Sequence, residues 1–345
     1  MDLNICMAAD DNYAVHLGTC IISIVENNCS NNINMHILNN NISDSNLRKI
    51  KSLESKFPNL KIKLYNILEY FEENKINSLI KNQLENNDFY NLLGISAFSR
   101  LFLEDILPDN IEKILYLDAD TIVLDDLSEL FEVDLGNHYV AGVIDVMANI
   151  TKSLYNGDKK ITPFINSGVL LINLNKWREI KFAKQSIELI IEYPDKNFLH
   201  DQNIINIICA DNIVLLNPKF NVMSEFFYVN YKKNLKLNSY FDSVDDFYSI
   251  KQIDNALSNP TIVHFISQVW DRPWMSKIGL FRHDIKNPFN KCYDYYKSSS
   301  PWRNVKIQEN NKPSTEKLYY EFIRFSMIHF PAHLLAIMHH IKNKS

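Results

Sequence analysis

The stretch IEKILYLDADTIVLDDLSELF, Ile111 to Phe131, decides the reading of this chain. Its segment KILYL (residues 113–117) is short, apolar and without helical spacing, which predicts a buried strand. The strand runs straight into Asp118, Ala119 and Asp120. In an extended segment residues i and i+2 share a face, so the two carboxylates project together while Ala119 turns into the sheet. Paired carboxylates suit a divalent metal, and the carboxyl end of a parallel strand is where open α/β sheets bind ligands. The same acids could instead cap a loop, or the helix expected over residues 127–131.

Working outward, residues 3–9 read as a strand, and the three- and four-residue steps between Leu17, Cys20, Ile21, Ile24 and Val25 read as a helix. A strand over 33–38, a helix over 43–57 opened by Ser43 and Asp44, and a strand over 61–67 complete a βαβαβ start. That alternation implies an α/β fold with a mostly parallel sheet. Residues 89–107 read as helical. Residues 139–144 form a strand ending on Asp145, and INSGVLLINL (165–174) is a strongly apolar one. Helices over 176–193 and 202–209, a short strand over 213–216 and a last core strand over 261–266 follow. Beyond Pro273 the alternation stops, which puts a boundary near residue 280 between an α/β domain (1–280) and a helical C-terminal region (281–345).

Composition narrows the function. The chain of 345 residues has a net charge of −5 and no Lys/Arg-rich track with interleaved aromatics, so nucleic acid is not an expected partner. No 18-residue uncharged apolar span occurs, which excludes a polytopic membrane protein. The start MDLNICMAADDN lacks a basic region ahead of its apolar run, so a cytoplasmic location is expected. Five scattered cysteines, Cys6, Cys20, Cys29, Cys209 and Cys292, form neither a disulfide framework nor a zinc motif. None of the seven glycines builds a dinucleotide fingerprint or a P-loop. Any diphosphate must therefore be held by a metal or by a few local cations.

With Ile111 to Phe131 as context, further segments agree in order: AADDNY (8–13), SRL (99–101), FINSGVLLINLNKW (164–177), HDQNIIN (200–206), NPKFN (217–221), and VHF followed by RPW (263–274). Over about residues 3–275 the chain resembles the family 8 glycosyltransferases of the bacterial lipopolysaccharide galactosyl- and glucosyltransferase type. The resemblance implies a GT-A fold, a Rossmann-like sheet with helices on both faces, and retaining transfer of galactose or glucose from a UDP-sugar to a glycan or lipid-linked acceptor. It implies Mn²⁺, or failing that Mg²⁺, on Asp118, Asp120 and His264. Mixed carboxylate and imidazole ligands favour Mn²⁺ of the two.

By the same resemblance Ala8, Asp10, Asn12 and Tyr13 would lie at the nucleotide, with Asp10 accepting from the uracil imide and Asn12 pairing with a carbonyl. Taken alone, Asp10 and Asn12 could simply cap the following helix. Arg100, Ala119, Ser167 and Ser267 would line the donor. Asp145, Asn166, Asp201 and Gln202 would line the sugar pocket, with Asp201 and Gln202 on the β-face as the catalytic pair. Arg272 replaces the lysine usual before Pro-Trp, and Gln268 to Asp271 lengthen the loop before it. No carboxylate nucleophile is evident, so the implied route is attack from the face the leaving group departs.

Two other functions fit parts of the chain. LYLDADTIV also fits the DxDx[TV] motif of haloacid-dehalogenase-type phosphatases, with Asp118 as nucleophile and Asp120 as acid/base. Those enzymes carry it near the start of their core, followed by a GDxxxD-like motif that is missing here. A catalytically silent nucleotide-sugar-binding protein is the second, against which the intact Asp118, Asp120, His264 and Gln202 argue. The C-terminal residues 312–345 mix aliphatic and aromatic side chains with five Lys/Arg against two Glu, and Pro331 divides them. Neither piece reaches 17 purely apolar residues, so they are not expected to span a bilayer; they could lie on the anionic inner face of the cytoplasmic membrane, or pack as helices on the domain.

Overall fold

The computed structural model describes residues 1–76, 96–145, 163–192, 200–224, 226, 247–266, 272–274, 287–307, 318 and 321–322. The chain opens as β1 (Asp2–Asp10), α1 (Ala14–Asn27), β2 (Asn32–Asn40), α2 (Asp44–Lys56) and β3 (Leu60–Asn66). Ser43 caps α2 by accepting from the Asn46 N–H, and Asp44 sits in the first turn, where the helix dipole favours an acid. Next come β4 (Lys113–Leu117), β5 (Thr121–Val123), β6 (Val140–Ile144), β7 (Ile165–Asn173) and β8 (Ile213–Leu215).

Seven strands form one sheet in the order β3-β2-β1-β4-β7-β6-β8. β7 alone among them runs antiparallel to its neighbours β4 and β6. The chain winds outward from β1 to β3 and then returns to set β4 on the other side of β1. The carboxyl ends of β1 and β4 therefore flank a topological switch point, the crevice where such sheets bind ligands. Side chains alternate across the sheet. Leu3, Ile5, Met7 and Ala9 of β1, with Leu115 and Leu117 of β4, join the core that includes α1, whereas Cys6, Ile114 and Tyr116 join a second core on the opposite face. Burial on both faces is why these strands read as unbroken apolar runs.

A smaller sheet, ordered β5-β10-β9, is built from β9 (Val222–Met223), β10 (Ile262–His264) and β5. Within it His264 stands opposite Thr121 on antiparallel β5 and opposite Met223 on parallel β9. This pairing returns the far end of the chain to the segment just after Asp120.

Two helices depart from the sequence expectation. The helix expected over 176–193 is two helices, Leu174–Ile180 and Phe182–Glu192, separated by Lys181 in the left-handed region at φ 54°. The break has a cause: the buried Glu104 carboxylate accepts from the Phe182 and Ala183 N–H groups at 3.1 and 2.9 Å, capping a new helix start. Of the helix expected over 89–107, residues 89–95 lie outside the described residues. The remainder tightens into a 3₁₀ turn, Ser99–Phe102, before the short helix Leu103–Ile106.

Helix Asn290–Ser299 lies beyond the boundary read near residue 280. Its Tyr293 and Tyr296, and Trp302 after it, are buried in the core that holds α1. Among the described residues no helix is long and apolar enough to cross a membrane. Apart from Leu318, Glu321 and Phe322, residues 312–345 lie outside the described residues.

Candidate active site

Asp118 follows β4 and Asp120 precedes β5. The Thr121 N–H donates to the Asp118 carbonyl at 3.2 Å and the Thr121 hydroxyl to the same oxygen at 2.8 Å. A tight turn, not the extended segment expected from the sequence, thus brings the two carboxylates together, because the chain has only three residues in which to leave one sheet and enter the other. Ala119 is buried in the core, as expected. β10 supplies His264, and one ligand atom from each of Asp118, Asp120 and His264 lies within 4.8 Å of the others. His264 Nε2 is 3.2 Å from Asp120 Oδ1 and 3.8 Å from Asp118 Oδ2. Gly168 on β7 makes room for them: a Cβ there would stand 2.1 Å from His264 Cε1 and 2.8 Å from Asp118 Oδ2.

Two arginines hold the carboxylates from either side. Arg100, buried in the 3₁₀ turn, lies over the Tyr116 ring at 4.4 Å and donates to Asp118 Oδ1 at 2.7 Å and to the Ser167 carbonyl at 2.7 Å. Its Nε is 3.1 Å from Asp201 Oδ2, so one guanidinium ties a candidate metal ligand to the helix Asp201–Ile208. Arg272 donates from Nε to the Phe265 carbonyl at 2.7 Å, from one terminal nitrogen to Asp120 Oδ2 at 2.9 Å, and from the other to the Tyr13 hydroxyl at 3.4 Å. A lysine could not serve three acceptors in this planar spread.

These surroundings set the acids apart. Burial pushes Asp118 upward and the Asp120 charge adds to this, against the pull of Arg100. Burial would raise Asp120 too, but Arg272 and His264 outweigh it and hold the carboxyl at about 2. Asp201, the most deeply buried of the three, is kept below the usual carboxylate range by Arg100 and His200. Asp118, Asp120 and Asp201 face two guanidiniums here, a set that leaves a cation welcome.

Next to the acids lies a buried amide network. Gln202 Nε2 and Asn166 Nδ2 both donate to Asp145 Oδ2, at 2.9 and 3.0 Å, and Gln202 Oε1 accepts from the Ser167 N–H at 3.0 Å. Ser167 Oγ donates to Asp201 Oδ2 at 3.1 Å. β6, β7 and the helix Asp201–Ile208 thus bring Asp145, Asn166, Ser167, Asp201 and Gln202 to one place. At the end of β1, Asp10 Oδ1 accepts from the Tyr13 N–H at 2.9 Å and its Oδ2 from Asn12 Nδ2 at 3.3 Å. One Asp10 oxygen therefore closes the turn into α1. Ala8 is half-buried two residues earlier, and Tyr13 joins this end of the crevice to Arg272. Ser267 lies outside the described residues, as do Gln268 to Asp271.

Three residues of the site were not singled out from the sequence. Asn221 and Gly168 sit inside quoted segments, and a glycine in so apolar a strand is itself a sign of close approach. His16 carried no such sign. Its ring packs on Trp274 at 4.0 Å between centroids and its Nδ1 lies 2.6 Å from the Tyr293 hydroxyl. It therefore supports the segment bearing Arg272 from beneath.

The arrangement combines a three-ligand cluster, two cations and a pocket of amides and acids suited to hydroxyl groups. The model of glycosyl transferase family 8 matches residues 4–277. General stress protein A of Bacillus subtilis is 27% identical over 310 residues, covering 88% of this chain and 96% of that protein. The lipopolysaccharide 1,2-glucosyltransferase of Escherichia coli is 26% identical over 336 residues, covering 93% and 86%. Among solved structures, galactosyltransferase LgtC in complex with donor and acceptor sugar analogs superposes with a TM-score of 0.64 at 24% identity, covering 88% of this chain and 99% of that one. The fold is thus the GT-A fold of that enzyme.

Proposed function

The chain belongs to glycosyl transferase family 8, and from that premise we propose that it is a retaining hexosyltransferase moving galactose or glucose from a UDP-sugar to a glycan or lipid-linked acceptor. The observation that carries this reading is the Asp118, Asp120 and His264 cluster, within 4.8 Å, at the switch point between β1 and β4 and beside the Asp145, Asn166 and Gln202 network. Mn²⁺ fits the donor set, and the space left by Gly168 keeps Asp118 and His264 unobstructed. Bound there, it would neutralise the charge of the donor diphosphate.

The chain's own groups supply the rest. Arg272 and Arg100 flank the carboxylates and add positive charge where the leaving diphosphate develops its own. Asp145, Asn166 and Gln202 offer acceptors and donors to sugar hydroxyls, the kind of pairing that tells epimers apart. Asp10 and Asn12, paired with each other at the end of β1, would meet the uracil edge of a bound donor. Asp201 is held by Arg100 at 3.1 Å and by the Ser167 hydroxyl at 3.1 Å, and a carboxylate so engaged is a poor nucleophile. Retention then follows from attack by the acceptor hydroxyl on the face the diphosphate leaves, with a diphosphate oxygen taking its proton.

The test is Mn²⁺-dependent UDP binding and turnover of UDP-galactose and UDP-glucose, in the unmodified chain and in Asp118→Ala and Asp120→Ala. Loss of several kcal/mol of charge stabilisation lowers turnover by at least about a thousandfold in either variant. Undiminished turnover would sink the metal assignment. Hydrolysis of phosphate monoesters with Mg²⁺ would favour the phosphatase reading, and preference for a GDP- or CMP-sugar would contradict the roles of Asp10 and Asn12.

We further propose that residues 312–345 hold the enzyme on the anionic inner face of the cytoplasmic membrane, where lipid-linked acceptors reside. Each Lys or Arg near such a surface contributes about 1 kcal/mol, so binding is reversible and salt-sensitive. Deleting 312–345 should abolish sedimentation with anionic liposomes while turnover on a short soluble acceptor continues. Unchanged sedimentation rejects the anchor.

A further inference from the structure

We propose that Asn221 is a positioning residue that fixes the tautomer of His264 and couples it to the sugar pocket through Asn166. The inference rests on reading His264 as a metal ligand. It follows from hydrogen-bond polarity, starting from two groups whose roles are unambiguous. The Gly168 backbone N–H can only donate, and it points at Asn166 Oδ1 at 3.0 Å. The Asp145 carboxylate accepts, and Asn166 Nδ2 meets it at 3.0 Å. Turning the Asn166 amide over would set donor against donor at one end and acceptor against acceptor at the other, so its orientation is determined.

The next link follows. Asn221, fully buried, lies against Asn166 Oδ1 at 2.9 Å, so the group it presents must be its NH₂. Its remaining oxygen, Oδ1, therefore faces His264 Nδ1 at 3.1 Å. An amide oxygen can only accept, so Nδ1 carries the proton. Nε2, the nitrogen nearest Asp118 and Asp120, is then the ring's coordinating atom. Gly168 closes the arrangement. Its N–H orients Asn166, its missing side chain admits the His264 ring, and its carbonyl accepts from the Asp118 N–H at 2.8 Å. The orientation of the metal-facing imidazole and that of the Asn166 amide are thus settled by one chain of bonds.

The experiment reads the tautomer directly, in metal-free protein labelled with ¹⁵N-histidine. The Nδ1 signal of His264 is assigned by its disappearance in His264→Gln. Mn²⁺ affinity in the presence of UDP and donor KM are measured alongside. In the unmodified chain Nδ1 carries a proton, whatever Nε2 carries towards Asp120. Asn221→Leu populates the Nε2–H form and weakens Mn²⁺ binding about 10- to 100-fold, the usual effect of losing such a partner.

Asn221→Asp separates the two links and serves if the leucine variant does not fold. Its carboxylate still accepts from Nδ1–H, so tautomer and Mn²⁺ affinity are kept. Its other oxygen now opposes Asn166 Oδ1, and donor KM rises about tenfold. An Nδ1–H signature and Mn²⁺ affinity unmoved by Asn221→Leu overturn the proposal, as does loss of that signature in Asn221→Asp. Protein that takes up no Mn²⁺ in its unmodified form overturns the metal-site reading instead, and the metal-free spectra keep that failure separate.

Discussion

At position 168 even a methyl group has no place, since it would press on both His264 and Asp118. Gly168→Ala should therefore displace two of the three ligands. Overpacking of this kind costs about 1–3 kcal/mol, and Mn²⁺ affinity should fall by more than about tenfold, measured by electron paramagnetic resonance titration beside thermal denaturation. Retained affinity would mean that the ring swings aside freely. His16 makes a different prediction. Burial depresses its folded pKa to about 3, with the nearby Asp120 opposing, while an unfolded histidine titrates near 6.5. The unfolded chain thus binds the extra proton first, and stability falls as pH drops from about 6.5 towards 3, by up to about 1.4 kcal/mol per pH unit for this group. His16→Gln should flatten that part of the stability curve in urea titrations at stepped pH. An unchanged slope would show that His16 takes no part.

Between elements, a single side chain decides where helices start. Glu104 is buried and accepts from the first two N–H groups of Phe182–Glu192, which pins the helix break at Lys181. Glu104→Ala leaves both donors buried without this partner, at about 1–3 kcal/mol. The expected readout is a lower melting temperature and faster hydrogen exchange confined to residues near 182–186. Uniformly faster exchange across the sheet would show a global effect and contradict the cap. The periodicity of residues 176–193 is helical throughout, so nothing local marks the break. It follows from a carboxylate on a different helix.

For the whole molecule, the interlock between α1 and the segment after helix Asn290–Ser299 is the feature to test. Trp302 is buried against Gly18, donates from its indole N–H to Asn46 Oδ1 at 2.8 Å, and so joins α1 and α2 to the C-terminal side of the chain. Trp302→Ala should cost about 3–5 kcal/mol, and Gly18→Leu should be as damaging from the other side. Truncation after residue 286 removes Tyr293, Tyr296 and Trp302 together and should abolish cooperative unfolding in a calorimeter. A truncated chain that melts as sharply as the full one would show that the region beyond 286 is dispensable to the fold.

Much of this was legible in the amino-acid sequence because it is local. The βαβαβ start, the Ser43 cap, the strand leading into Asp118 and the strand 165–173 depend on periodicity and on neighbouring residues alone. The ordered segments shared with a known family carried Asp118, Asp120, His264 and Gln202 to one site before any geometry was known. Tertiary structure decided what depends on partners far apart in the chain. β5 is three residues long, and its pairing with β10 is the physical reason His264 returns beside Asp120. The helix break at Lys181 depends on Glu104. The His264 tautomer depends on amides drawn from β7 and from the turn before β9, and no spacing along one segment records the direction of a hydrogen bond.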